Sequence, residues 1–136
     1  MVTRELGVVD RADAVSLWET TGLTRPWNDP VADFERAVAG PASAVLGGFV
    51  GDELMATAMV GHDGHRGWVY YLAVVEHLRH CGHARSLMAV CEEWLRARKI
   101  PKLNLMVRTS NESVAAFYDA LGYKTDSVLV RSKRLV

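Results

Sequence analysis

The residues most plainly equipped for chemistry are Arg79-His80-Cys81-Gly82-His83-Ala84, a basic turn between an apolar run, 68–75, and an amphipathic segment, 84–99. A strand, a short turn with a glycine and then a helix start form an arrangement that holds phosphate. The first N–H groups of a helix lack an intrahelical acceptor, and the aligned peptide dipoles add partial positive charge at that end. Gly82 lets the backbone approach an anion closely, and Arg79 can add a charge-assisted hydrogen bond. The plain alternative is a turn glycine beside a solvated arginine. A second block, from Asn111 through Ala115, Phe117 and Tyr118 to Leu121-Gly122-Tyr123, reads as a helix. Asn111 suits its N-cap and Gly122 its end.

The elements that must position these residues follow from periodicity and punctuation. Residues 3–9 read as a first strand, and Asp10 suits the N-cap of a helix over 11–20 that ends near Gly22. Pro30 fits the first turn of a second helix to about Ala39, stopped by Gly40-Pro41. Residues 43–50, Gly51-Asp52 and 53–60 predict a hairpin, 61–67 a turn and 68–74 a fourth strand. Leu87, Met88, Cys91, Trp94 and Leu95 recur at helical spacing and form the stripe of a long helix ended by Ile100-Pro101. Residues 103–107 predict a fifth strand, 112–121 a fourth helix and 128–135 a last strand. Strands alternating with helices after an early hairpin give a mixed α/β sheet with about four helices.

Length and composition narrow the class. A chain of 136 residues predicts one domain spanning 1–136, with a core that needs neither metal nor disulfide. Sixteen basic and sixteen acidic side chains balance, so bulk charge points to no nucleic acid. No apolar run approaches the about 20 residues of a membrane helix, and the start lacks a signal-peptide layout, so no membrane association and a cytoplasmic protein are expected. Cys91 lies on the core stripe, which argues for packing rather than a bridge to Cys81.

Together the two blocks resemble the GNAT superfamily of acyl-CoA-dependent N-acetyltransferases. Its phosphate loop, Q/R-x-x-G-x-G/A, is matched by Arg79, Gly82 and Ala84. Its downstream helix is matched by Asn111, Phe117, Tyr118, Leu121, Gly122 and Tyr123. The stretches Leu23-Thr24-Arg25-Pro26-Trp27-Asn28-Asp29-Pro30 and Asp63-Gly64-His65-Arg66-Gly67 are similar to the small bacterial YpeA-like branch. The resemblance implies acetyl-CoA as co-substrate, with the long helix starting at the phosphate loop. Its pyrophosphate would lie on Arg79, His80, Cys81, Gly82, His83 and Ala84, and its pantetheine arm beside Leu72, Ala73 and Val74. Asn111, Ala115 and Tyr118 would face it from the later helix. Tyr118 is then the expected general acid for the leaving thiolate, since a phenol stays protonated at neutral pH. The alternative is an ordinary half-buried tyrosine beside Phe117. The family usually has glycine at the position of His80 and a small apolar residue at that of His83. A left-handed backbone at His80 would cost of order 1 kcal/mol. The usual two closing strands have little chain left after Tyr123.

The acceptor side is expected in the loop after the first helix, where Arg25, Trp27, Asn28 and Asp29 combine a cation, a flat ring and polar hooks, with Tyr70 on the fourth strand. Arg25 could grip a carboxylate on a small amine; alternatively Trp27 packs under the loop and the prolines stiffen it. Arg66 or His65 in the turn 63–67 would tie neighbouring loops together, with a substrate role for that turn as the alternative. No glutamate lies on the fourth strand, so the general base is left open among a water held near Tyr70, His65 and Asp63. His77, His80, His83 and Cys81 include zinc-ligand types, but a loop does not bring three-apart residues to one face, so no metal is expected. Cys81 would sit at the pyrophosphate end, so direct attack on the thioester is expected rather than an acyl-cysteine. The resulting expectation is transfer of acetyl to a primary amine, on a small molecule or a peptide. A non-catalytic acyl-CoA sensor and a protein N-terminal acetyltransferase are the alternatives, and a homodimer stays open.

Overall fold

A computed structural model describes residues 1–136 and divides them into two compact units, Met1–Leu105 and Met106–Val136. In the first, strands β1 (Val2–Glu5), β2 (Ser43–Val50), β3 (Glu53–His62), β4 (Gly67–Val74) and β5 (Leu103–Asn104) form one sheet in the order of the chain. Neighbours are antiparallel except the parallel pair β4 and β5, so the sheet is mixed, as the alternation of elements implied. The β2–β3 hairpin closes through Gly51, whose φ of 61° suits glycine.

Helices α1 (Arg11–Thr20) and α2 (Pro30–Ala39) cover one face. Trp18 and Phe34 are fully buried there and share a core with Val45 and Ala73. The Asp29 side chain caps α2 by accepting from the Ala32 amide, and Pro30 occupies the first turn, where its missing N–H costs nothing. Helix α3 (His83–Ala97) packs on β2, β3 and β4 through its buried stripe Leu87, Met88, Cys91, Trp94 and Leu95. Burial pushes the Cys91 thiol up to about 12, with Glu92 adding to the shift, so this cysteine packs as a hydrophobe, whereas Cys81 is exposed. No helix is long and apolar enough to cross a membrane.

The second unit carries α4 (Glu112–Ala120), capped by Asn111, whose side chain accepts from the Val114 amide at 3.3 Å, and followed by Gly122 at φ 90°. The four helices match the sequence expectation.

Four boundaries differ. The first strand stops at Glu5 because Asp10 turns the chain: its carboxylate takes both terminal nitrogens of Arg4 at 3.0 Å and the Gly7 amide at 2.9 Å. The same bonds keep the Asp10 side chain from capping α1, although Asp10 stands at the N-cap. The turn after β3 shrinks to 63–66 as both flanking strands extend. The fifth strand pairs at only two residues, and residues 128–135, predicted as a strand, form none. Apolar alternation there meets no pairing edge, and Val128, Leu129 and Val130 remain exposed.

Gly67 joins this sheet to α3 at closest approach. A Cβ built there lies 2.4 Å from Leu95 Cδ1 and 3.1 Å from its Cγ, and Leu95 is buried. Gly67→Ala should therefore destabilise the protein by about 1–3 kcal/mol through overpacking, seen as a lower urea midpoint with an unchanged slope.

Candidate active site

The strand that faces both expected ligands is bent at Tyr71. Pairing of β3 with β4 shifts between Thr57 and Met59, and Tyr71 takes a φ of 51°, unusual for a side chain of that size. Four side chains hold it there. The fully buried Thr57 hydroxyl donates to the Tyr71 carbonyl at 3.0 Å and accepts from Trp18 Nε1 at 2.8 Å. The Trp18 ring stacks on Tyr71, 3.9 Å between centroids at 14°. The Tyr71 hydroxyl donates to Asp33 Oδ2 at 2.8 Å, and Asp33 Oδ1 accepts from Arg36 at 2.6 Å. Burial, then the Asp33 bond and its charge, push the Tyr71 phenol far above its ordinary range.

On its other side β4 loses its neighbour before the bend. The strands β4 and β5 pair only at Gly67–Leu103 and Trp68–Asn104, so residues 69–74 present an edge with no partner strand. Leu72, Ala73 and Val74 lie on that edge. A single 3-10 turn, Glu76–Leu78, then leads to the basic turn. His80 adopts φ 63° and Gly82 φ 84°, so the left-handed conformation considered for His80 is present. Two left-handed residues just before a helix curl the backbone into a concavity that suits an anion. Gly82 is the N-cap of α3, and the first intrahelical bond runs from the Ser86 amide to its carbonyl. The amides of His83, Ala84 and Arg85 therefore begin the helix without an intrahelical acceptor. Arg79 Nε donates to the Val74 carbonyl at 3.2 Å, which ties the turn to the end of β4. Cys81 is exposed, its thiol 3.5 Å from the Arg79 carbonyl.

A cleft of about 680 Å³ opens on the α2 side of the sheet. Asn28 and Tyr70 line it, together with Asp33, Arg36, Met59, Asp63, Trp68 and Tyr71. Arg25 and Trp27 do not: Arg25 Nη1 donates to the carbonyls of Gly22 and Thr24, inside its own loop. Arg66 likewise turns back on the His65 carbonyl rather than joining two loops. Asp63 accepts from the His65 and Arg66 amides, and the Arg66 bond first, then that of His65, holds its carboxyl below the usual range. Burial pushes the Tyr70 phenol up, and the Asp63 charge adds to this. No three His, Cys, Asp or Glu side chains are grouped to hold a metal ion.

In the second unit Tyr118 is buried on α4, its ring edge-on to Phe117 at 5.0 Å and to Tyr123 at 5.6 Å. Asn111 and Ala115 belong to the first turns of the same helix, where the Ala115 amide bonds the Asn111 carbonyl. Asp33, Arg36 and the Trp18–Thr57 pair escaped the sequence reading. A signal existed for Asp33: it stands one turn before the buried Ala37, an acid on the flank of the core face of α2.

Residues 12–123 match the family described as Acetyltransferase (GNAT) family, and the chain belongs to that family. A bacterial relative, an acetyltransferase of Sodalis glossinidius, is 43% identical over 128 residues, covering 93% of this chain and 90% of its own. Among solved structures, a putative acetyltransferase from Agrobacterium tumefaciens superposes with a TM-score of 0.83 at 17% identity, covering 98% of this chain and all of that one. An aminoglycoside N-acetyltransferase, solved with the bisubstrate analogue CoA-S-monomethyl-acetylneamine, superposes with a TM-score of 0.83 at 16% identity, covering 98% and 97%. The protein is thus an acetyltransferase of the GNAT type.

Tyr71→Phe removes the bond to Asp33 and should cost about 1–2 kcal/mol at neutral pH. The raised phenol adds an alkaline signature. Above pH about 10 the unfolded chain loses the Tyr71 proton while the folded chain keeps it, so wild-type stability falls as pH rises further. Urea titrations across that range should show a shallower decline for Tyr71→Phe.

Proposed function

We propose that this protein moves an acetyl group from acetyl-CoA to the nitrogen of a primary amine by direct attack. The observation that carries the reading is the unpaired edge of β4 running into a turn with two left-handed residues at the head of α3. An extended amide-bearing arm fits such an edge as an added strand, and a diphosphate fits the amides at the turn. Leu72, Ala73 and Val74 would hold the arm; Arg79, His80, Cys81, Gly82, His83 and Ala84 would hold the diphosphate. The family match runs through both compact units, which supports one functional domain over 1–136.

When bound, acetyl-CoA supplies an activated acetyl thioester. A backbone amide near Val74 would polarise its carbonyl oxygen. A neutral amine forms the new N–C bond as the C–S bond breaks, and its surplus proton leaves while the sulfur gains one. Tyr118 carries a proton at its hydroxyl for that sulfur, and Asn111 and Ala115 shape the same helix face. Solvent within the cleft near Tyr70 would take the proton of the amine. A non-catalytic acyl-CoA sensor would bind as tightly and turn over nothing. The protein would work in the cytoplasm.

Calorimetric titration with acetyl-CoA and with a pantetheine thioester lacking the diphosphate tests the cofactor half. Binding of acetyl-CoA at least tenfold tighter than of the truncated thioester is expected from the charge-assisted contacts at the turn. Equal affinities would remove the turn from the site. Arg79→Ala should weaken acetyl-CoA binding more than it lowers turnover. Tyr118→Phe should lower turnover by about 10²-fold or more with nearly unchanged acetyl-CoA affinity; wild-type turnover would exclude Tyr118 as the acid.

A further inference from the structure

We infer that the acceptor is an uncarboxylated primary amine with an aromatic or bulky apolar body, its ammonium held by Asp63 against the rings of Trp68 and Tyr70. The inference rests on the acetyltransferase reading above and names its substrate class. The cleft is of the size that encloses a small molecule. Its wall is aromatic and apolar: Trp68 and Tyr70 lie nearly parallel, 13° apart with centroids at 6.4 Å, and Met59 and Tyr71 continue the surface.

The charges in the cleft are unequal. Two carboxylates, Asp33 and Asp63, face one guanidinium, Arg36. Arg36 is paired with Asp33, whose other oxygen accepts from Tyr71. Asp63 has no basic side chain against it. Both backbone amides that it accepts, from His65 and Arg66, converge on Oδ1, at 2.9 and 2.8 Å, and the Trp68 side chain also hydrogen-bonds the carboxylate, which sets Asp63 against the aromatic wall. The Arg66 amide first, then that of His65, with the Trp68 bond adding to them, favour the ionised carboxylate. An ionised carboxylate next to Trp68 and Tyr70 in an apolar cleft is a receptor for a cation, and the rings can add to its hold on one. A carboxylate on the acceptor would meet Asp63 and Asp33 against a guanidinium already paired, and Arg25, the other candidate for an anion, is turned into its own loop.

The test uses three amines with the full-length protein: 2-phenylethylamine, L-phenylalanine, which adds only a carboxylate, and butylamine, which keeps the charge without the ring. Thiol release from acetyl-CoA should give 2-phenylethylamine a kcat/KM at least about tenfold above either comparison. Asp63→Asn keeps an Oδ1 for both backbone amides, so the turn should persist, and it should lower kcat/KM for 2-phenylethylamine about tenfold with acetyl-CoA affinity unchanged. Quenching of tryptophan fluorescence by 2-phenylethylamine, measured with and without CoA, should weaken in Asp63→Asn by a similar factor. Preference for L-phenylalanine or butylamine, or an Asp63→Asn protein that binds and acetylates 2-phenylethylamine like wild type, would overturn the inference. Failure of acetyl-CoA to bind, with 2-phenylethylamine binding still dependent on Asp63, would instead overturn the acetyltransfer reading and leave the amine site standing.

Discussion

Everything at the site depends on one irregularity, the bulge at Tyr71. An extra residue on β4 bends the strand and raises its local twist, and such a bend persists only if its surroundings over-determine it. Here they do. Thr57 fixes the Tyr71 carbonyl from β3, Trp18 covers the ring from α1, and Asp33 holds the hydroxyl from α2. Three elements distant in sequence therefore converge on one residue with a left-handed backbone. The bonds are mutually supporting, because the Thr57 hydroxyl that donates to Tyr71 is itself the acceptor for the Trp18 indole.

The bend also separates two recognition problems. On the α2 side, Tyr70 and Trp68 face a cleft whose polar groups are side chains. Along the free edge of the same strand, residues 69–74 offer main-chain donors and acceptors. One strand can thus serve two chemically different ligands. The turn that follows continues the main-chain character: its left-handed residues and the first amides of α3 offer N–H groups, and Arg79 is already bonded to Val74.

Much of the scaffold was legible in the chain. The bounds of α2 coincide with the sequence reading because Asp29-Pro30 and Gly40-Pro41 punctuate it, and the stripe of α3 is buried as its spacing predicts. The left-handed backbone of His80 lies where the motif usually has glycine. What failed depended on partners far along the chain. Residues 128–135 alternate like a strand but find no edge, and Asp10 was spent on Arg4 instead of on the helix it precedes. The bulge was invisible because Tyr70-Tyr71 looks the same whether paired in register or not. Arg25 shows the opposite case: its chemistry suits an anion, and carbonyls of its own loop take its guanidinium.

A slot built from peptide groups also says something about inheritance. Amides and carbonyls are common to every residue, so the open edge of β4 constrains the path of the chain far more than the identity of Leu72, Ala73 or Val74. Substitution can run through such a stretch without erasing its hydrogen-bonding pattern, provided the bend survives. The information needed to keep the slot therefore resides mainly elsewhere, in Trp18, Asp33 and Thr57. Those residues hold the shape, and the edge itself asks little of its own side chains.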